Sequence, residues 1–222
     1  MNFLTSLQIC NTCPLADELD AIPSSLCPVN MGQIQRFFFV RKGEVIWDSV
    51  TPANNIPASI ASEVIEDATA WNTLFTASGA LSGKTIYTPL IGGDSQITPG
   101  TELTEGGGDN TTLSGVILSN GTNPADGQAR FDGLEAAQIK PFRKLNCENV
   151  EVYFVNQANK IIARKDGDLI TGFPLLKLYF GTKDNAGLNS RDSNLMTFQL
   201  NSDYDEYLHV ITPTFNALTI SI

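Results

Sequence analysis

Few side chains in this sequence belong to the kinds that do covalent or acid–base chemistry, and their spacing limits what they can do. A serine nucleophile needs a base, and the chain holds one histidine, His209. It lies in "EYLHVIT", where strand alternation groups it with Tyr207 and Ile211, the reading of a structural histidine. The four cysteines are Cys10, Cys13, Cys27 and Cys147. "CNTC" is a C-x-x-C pair of the sort that clamps zinc or cycles a disulfide. A closed zinc site usually draws on two close pairs, and Cys27 and Cys147 stand too far apart in sequence to make a second one. A redox pair sits at a helix start after a strand, and no strand pattern precedes "CNTCPLADEL". Plain reduced or buried cysteines are the expectation, with Cys10, Cys13 and Cys27 the one set that offers a metal or disulfide staple. The acid pairs Glu63/Glu66, Asp166/Asp168 and Asp203/Asp205 recur along the chain. "DGD" and "DYDE" have calcium-chelating groups, but neither continues as an EF-hand loop with its glycine and terminal glutamate. They read as solvated turn residues, and no cofactor is expected.

The glycine run in "TELTEGGGDNTTLSG", residues 101–115, raises the question of phosphate binding. A phosphate loop sets glycines between a strand and a helix and meets the charge with a lysine or a helix N-terminus. Here Glu105 and Asp109 flank the glycines, no lysine is present, and the β-like "TTLSGVIL" follows. Such a loop repels phosphate, and it reads as a flexible acidic bridge between two strands.

The elements that position these residues can be read from the bulk properties and the hydrophobic pattern. The 222 residues carry 24 acidic and 14 basic side chains, a net charge of −10. That length is enough to bury a substantial core. That charge excludes gripping a nucleic-acid backbone, while it suits a wall that DNA passes without sticking. "MNFLTSLQICNTCPLADEL" lacks the basic start and the long apolar run of a secretory signal, and no stretch is long and apolar enough for a membrane span. A soluble protein made inside a cell is expected, in which the N-x-T triplets at Asn110 and Asn120 carry no meaning.

Residues 1–30, dotted with Pro14, Pro23 and Pro28, read as an extended arm, with "LADELDAI" a short helical turn. "GQIQRFFFV", 32–40, is the first strong strand, with Ile34, Arg36 and Phe38 on one face and Gln35, Phe37 and Phe39 on the other. "GEVIWD" follows as the second arm of a hairpin turning at Lys42-Gly43. The spacing of Ile60, Val64, Ala68, Trp71 and Phe75 predicts an amphipathic helix over about 62–77, started at Ser62 and stopped by Gly79. "KTIYTPLIGG" is a strand. The glycine-rich stretch at about 92–130 reads as a long hairpin or extended loop carrying "SQITPGTEL" and "TTLSGVILS". "GLEAAQIKPFRKL", 133–145, is a second helix that Pro141 ends or kinks. "NVEVYFV" and "NKIIARK" form a hairpin around "NQAN", with Val150, Val152 and Phe154 against Ile161 and Ala163. "FPLLKLYFG", "NLMTFQL", "EYLHVIT" and "ALTISI" complete about ten short strands and two helices. The class is mainly β: an antiparallel β-sandwich or barrel with one or two flanking helices and a long extended loop. Residues 31–222 are expected to form one β-rich assembly domain, with Phe38, Trp71, Phe75, Phe154 and Leu178 in its core.

Two resemblances bear on function. "IGGDSQ", with Gly93-Asp94-Ser95 after a strand, resembles the serine block of GDS-type esterases and implies an esterase-like hydrolase built on Ser95. In that family the block lies near the N-terminus of a parallel α/β fold, and an aspartate precedes the histidine by three residues. Here Asp205 precedes His209 by four and Glu206 by three, and the strand–helix alternation is missing. The organisation as a whole resembles tailed-bacteriophage virion proteins, most closely tail tube proteins. "CPVNMGQIQRFFFV", residues 27–40, resembles the opening of structural proteins of phages of Bacteroidetes-type hosts, in which a glycine precedes a strand of the "I-x-R-F-x-F" kind. The helix around Trp71, the loop at 92–130, the β-rich end and "ARFDGLEAAQIKPFRKLNCENVEVYFVNQANKII" fit the same pattern, across residues 27–215. This second resemblance implies no catalysis. It implies subunits that self-associate in rings, stack into a hollow tube and let genomic DNA slide through during ejection. It further implies other tail or virion proteins as partners and assembly in the host cytoplasm into the virion. Another virion component, such as a head–tail adaptor, a capsid protein or a head decoration protein, is the alternative within that class. The contacts between subunits are expected from the glycine-rich arm: Thr101, Leu103, Thr104, Gly106, Gly107, Gly108, Thr112 and Leu113.

Residues 1–26 have too little apolar periodicity to fold alone. Their removal is expected to leave a folded monomer that no longer assembles, as read by gel filtration and negative-stain microscopy; normal assembly of the shortened chain refutes the arm's role.

Overall fold

The computed structural model describes residues 31–76, 85–106, 117–185 and 191–220. Among them run fourteen strands and two α-helices: β1 (Ile34–Arg41), β2 (Trp47–Asp48), α1 (Ala68–Thr76), β3 (Thr85–Tyr87), β4 (Ser95–Thr98), β5 (Glu102–Gly106), β6 (Ile117–Thr122), β7 (Ala125–Asp132), α2 (Ala136–Leu145), β8 (Val150–Asn156), β9 (Ile161–Asp166), β10 (Leu169–Thr171), β11 (Phe173–Pro174), β12 (Lys177–Asp184), β13 (Ser193–Leu200) and β14 (Leu208–Ile211). The chain divides into two compact units, one formed by Asn30–Pro99 with Pro124–Ile222 and one that contains Gly100–Asn123.

The larger unit is an antiparallel sandwich with a helix on each flank. Its first sheet has eight strands in the order β2-β10-β9-β8-β1-β3, with β11 added to β8 and β14 to β9. Its second has four, β12-β13-β7-β4. β1 lies between β8 and β3 and is buried on both faces. Phe37 and Phe39 point toward the second sheet and join Val152, Phe154, Ile162, Phe131, Phe180, Met196 and Phe198 in one core. The Phe37 ring centroid lies 5.8 Å from that of Phe198 and 6.3 Å from that of Phe131. Phe38 and Val40 point the other way, into a second core with Trp47, Ile60, Tyr153, Val155, Ile161 and the α1 residues Ala70, Trp71 and Leu74. Phe38 packs 5.0 Å from Trp71, ring to ring. The run "FFFV" thus serves two cores because successive side chains of a strand leave opposite faces.

Several expectations from the sequence need correction. Ile34 belongs with Phe37 and Phe39, not with Arg36 and Phe38, because the ladder to β8 shifts register between Ile34 and Arg36 and moves Ile34 to the other face. The turn after β1 is present, with Gly43 at φ +76° and a Glu44 N–H bond to the Arg41 carbonyl. It is no hairpin: both edges of β1 are taken by β8 and β3, so β2 pairs with β10 instead. The β8–β9 hairpin forms, but Val150, Val152 and Phe154 share their core with Ile162, while Ile161 and Ala163 face the other core. The segment "ALTISI" forms no strand over its described residues; Ala217–Thr219 is a turn. Pro141 sits inside α2, which continues to Leu145 rather than ending there.

The first helix is shorter than expected. α1 has nine residues and begins at Ala68, not near Ser62. The residues before it bond to partners elsewhere. The Asn55 side chain donates to the carbonyls of Ile60 and Glu63, at 3.0 and 2.7 Å. The Trp71 indole donates to Ile65, at 2.8 Å, and Thr214 donates to Glu66 through its backbone and its hydroxyl. These bonds hold residues 60–66 in turns tied to Asn55, Trp71 and Thr214, and the regular i→i−4 ladder starts only at Ala68. Of the expected core, Phe38, Trp71, Phe154 and Leu178 are buried, while Phe75 is half-buried.

Arg36 closes the structure around β1. Its guanidinium is buried, donates to the carbonyls of Thr88, Ala217 and Leu218, and lies 4.5 Å over the Tyr87 ring. A charged group so placed replaces its lost hydration with carbonyl acceptors and a ring face, and it ties the C-terminal segment to the sheet.

On the second sheet, Gly127 lies opposite Phe198. A Cβ at Gly127 would stand 2.2 Å from Phe198 ring carbons, so the ring occupies the space a side chain would need. Gly127→Ala is therefore expected to destabilise the protein by about 1–3 kcal/mol, the range for an overpacked core. Chemical denaturation measures this, and Phe198→Leu in the same chain recovers part of the loss.

Candidate functional site

The side chains with chemical potential are not brought together. Ser95 opens β4 in the four-stranded sheet, and its hydroxyl donates to the Ile34 carbonyl at 2.6 Å. His209 lies on β14, paired with Ala163 of β9 in the other sheet. Burial and the nearby Lys165 hold its pKa below the ordinary value, with Glu66 opposing. Asp205 and Glu206 lie in the short 3-10 turn Tyr204–Tyr207 that precedes β14. No hydrogen bond among the described residues joins Ser95 to His209, so the geometry of a nucleophile and its base is lacking. Asp166 is tied to Arg164 at 2.9 Å in an exposed pair. Cys147 is exposed and free. No cluster of three metal-ligating side chains occurs among the described residues, and Cys10, Cys13 and Cys27 lie outside them. No helix there is long and apolar enough to cross a membrane.

The strongest candidate for a functional surface is the hairpin of the smaller unit. The chain leaves the four-stranded sheet after Thr98 at Pro99 and returns at Ala125 after Pro124; proline cannot donate to a ladder and so marks both ends. The expected single run "SQITPGTEL" is split there into β4 and β5. β5 pairs with β6 antiparallel, from Glu102↔Thr122 to Gly106↔Ile117, with a register shift between Glu102 and Thr104. At the base, the Asn123 backbone donates to the Thr101 carbonyl at 3.0 Å and its side chain to the Thr101 hydroxyl at 3.1 Å. Gly121, at φ +102°, takes a conformation on β6 that other residues rarely adopt. Thr101 and Leu103 are exposed, Leu103 to 45%. Thr104 and Gly106 lie on β5, while Gly107, Gly108, Thr112 and Leu113 lie outside the described residues.

Among the described residues, β5 and β6 form a sheet of two strands with no third. The outer backbone N–H and C=O groups of both strands join no further strand among the described residues. A row of that kind can pair with a strand of another molecule, where main-chain bonds supply affinity.

No protein-family model matches the sequence, and no curated protein matches it. Among the solved structures with a partial likeness to this chain are three from phage-like particles. One is a chain in the tail of an empty gene transfer agent particle refined with C6 symmetry, at 11% identity and a TM-score of 0.33, covering 54% of this chain and 83% of that one. Another belongs to the virion of the native gene transfer agent particle, at 11% identity and a TM-score of 0.30, covering 50% of this chain and 78% of that one. A third belongs to the baseplate of the anti-feeding prophage, at 12% identity and a TM-score of 0.31, covering 86% of this chain and all of that one. Identities and TM-scores this low establish neither a shared fold nor a shared role.

One polar group was not singled out from sequence. Glu151 stands in the apolar run "VEVYFV" on the same face of β8 as Tyr153 and is 6% exposed. The acid within that run was the available signal. Gly172 passes so close that a Cβ there would lie 2.8 Å from the Glu151 Cβ. The Glu151 Oε2 atom, the Tyr153 hydroxyl and the Trp47 indole N–H are buried without well-aligned hydrogen bonds. Burial raises the Glu151 carboxyl above its ordinary 4.5, against the opposing pull of the Gly43 and Gly172 amides, Lys42 and Arg164. Burial also raises the Tyr153 phenol, with Glu151 adding to the effect.

The folded chain therefore holds the Glu151 proton more tightly than the unfolded chain does. The stability that this contributes is full below the unfolded value and is lost as pH rises through the raised folded one. Glu151→Gln, which keeps a neutral group at every pH, is expected to raise the melting temperature relative to the natural chain at about pH 7.5 more than at about pH 4. Thermal melts across that range check it, and equal differences at both ends would refute the buried-acid assignment.

Proposed function

We propose that this chain is a structural subunit of a phage-type virion that associates with copies of itself as stacked rings, forming a tail tube through which DNA is ejected. The observation that carries the reading is the β5–β6 ladder. A hairpin of two strands is at best marginally stable by itself in water, and β5 and β6 pair with no third strand among the described residues. A second copy beside it would supply the missing strand partners. The net charge of −10 agrees with a lumen that does not retain DNA.

In this reading the sandwich is the body of a non-enzymatic subunit, residues 1–30 are an arm that grips a neighbour, and the segment at about 92–130 reaches an adjacent ring. The contacts fall on Thr101, Leu103, Thr104 and Gly106 and, beyond β5, on Gly107, Gly108, Thr112 and Leu113. The glycines lose the most conformational freedom on ordering, and contacts from the neighbour offset that loss. Other tail or virion proteins contact the ends of the tube, and assembly takes place in the host cytoplasm.

Hydrogen exchange on free and assembled protein tests the reading, with negative-stain microscopy to establish the rings. Amides of residues 100–123 are expected to slow by roughly tenfold or more on assembly and not before, as strands do when both edges become paired. Fast exchange in both states leaves the hairpin as a surface feature and removes the observation on which the proposal stands.

A further inference from the structure

The four-stranded sheet carries a polar cavity on the side away from its core. Alternate side chains of β7, β12 and β13 leave opposite sides of the sheet, and the buried set faces inward. The register sorts the outward set into two rows that cross all four strands. One row runs Gln96, Gln128, Thr197 and Tyr179. The other runs Thr98, Asp126, Gln199 and Lys177. Strand geometry sets the rows about 7 Å apart and makes each about 14 Å long. All of these residues except Tyr179 line one cavity of about 170 Å³. The Gln199 amide donates to the Asp126 carboxylate at 2.9 Å. Gln96, Gln128 and Thr197 keep their side-chain donors and acceptors out of the protein's own hydrogen bonds among the described residues. Tyr179 stands beside the cavity and is 52% exposed. Its ring leans along β12, with Cε1 3.8 Å from where a Gly181 Cβ would stand.

We infer that this face binds a neutral saccharide chain laid across the strands. The inference goes beyond self-association and does not require it. The chemistry of the wall selects the ligand class. A glutamine amide and a threonine hydroxyl each offer both a donor and an acceptor, as a sugar hydroxyl does. Asp126 and Lys177 are the charged side chains of the wall, and they balance, so it has no net charge with which to select a phosphate or a carboxylate. The exposed Tyr179 ring supplies an electron-rich aromatic face against which the C–H face of a pyranose can stack. An extended peptide has no such match. β7 and β13 have neighbours on both edges, so their backbone groups are spent within the sheet and no strand can be added there. A strip about twice as long as it is wide suits a run of linked rings better than a single one. A concave patch with a few placed polar groups is the usual form of a small-ligand site.

The test uses the full chain in native gels cast with one soluble polysaccharide each: starch, β-glucan, mannan or xylan, with anionic alginate as the comparison. At least one of the four neutral polymers is expected to retard the natural chain in a saturable way, and alginate is not. Gln128→Ala removes an amide from the middle of one row, and Tyr179→Ala removes the ring at its end. Each is expected to weaken binding to the retarding polymer by about tenfold, the loss of one good contact. Neither side chain belongs to a core, so thermal melts of both variants should match that of the natural chain. Retardation by none of the neutral polymers, retardation by alginate alone, or equal binding by the natural chain and both alanine variants overturns the inference. Saccharide binding by a chain that never forms rings supports this site and sinks the tube. Rings formed by a chain that no neutral polymer retards sink this site and leave the tube.

Discussion

The structure depends on one constraint: β1 must be buried on both faces and hydrogen-bonded on both edges. Phe37 and Phe39 anchor the core between the two sheets, and Phe38 and Val40 anchor the core beneath α1. A strand in that position has no solvent side, so a register slip of one residue would exchange the contents of both cores. The shift between Ile34 and Arg36 allows this strand to begin on one face with Ile34 and still place Arg36 where its guanidinium reaches Thr88, Ala217 and Leu218. Both cores and the C-terminal segment are therefore fixed by eight consecutive residues. β8 repeats the arrangement beside it, with Phe154 on one face and Tyr153 on the other.

Much of this was legible in the sequence because period-two patterns and turn residues are local. "NQAN" between two apolar runs marked the β8–β9 hairpin, and "RFFFV" marked a strand whose two faces both become apolar. What was not legible is what distant partners decide. Nothing near Lys42-Gly43 shows that β1 already has two neighbours, so the turn was read as a hairpin while β2 travels on to β10. Nothing near Glu63 shows that Asn55 and Thr214 bond this segment's carbonyls and hold it in turns. In both places a long-range hydrogen bond outweighs a local preference, as tertiary context routinely does.

The candidate site was legible in a different sense. The sequence marked residues 101–115 as glycine-rich, acidic and unsuited to phosphate, and Glu102–Gly106 at its start forms an antiparallel ladder with Ile117–Thr122 beyond it. Ser95 illustrates the limit of a motif. "GDS" after a strand matched a string, yet the Ser95 hydroxyl is used as a donor to Ile34, and His209 belongs to the other sheet. A nucleophile is defined by the base that meets it, and residue order alone does not provide that meeting. Glu151 went unnoticed for the opposite reason. It fits no motif, and its character comes entirely from burial beside Tyr153 and Gly172.

Sheet edges relate the fold to its proposed role. An open edge invites pairing with another chain, and soluble proteins blunt such edges by shortening, charging or bulging them. The sandwich does all three. Its terminal strands β2, β3 and β4 have two, three and four residues. Its one long edge, β12, carries Lys177 and Lys183 and loses register between Phe180 and Lys183. The β5–β6 hairpin lacks the lysine and proline by which edges are usually protected; its strands read "ELTEG" and "ILSNGT". β5 carries Glu102 and Glu105 and shifts register between Glu102 and Thr104, so its edge is charged and irregular as well, and β6, with no charged side chain, is the less guarded of the two. A subunit that added a partner strand along β6 and resisted addition along its blunted edges would have fewer geometries of assembly open to it.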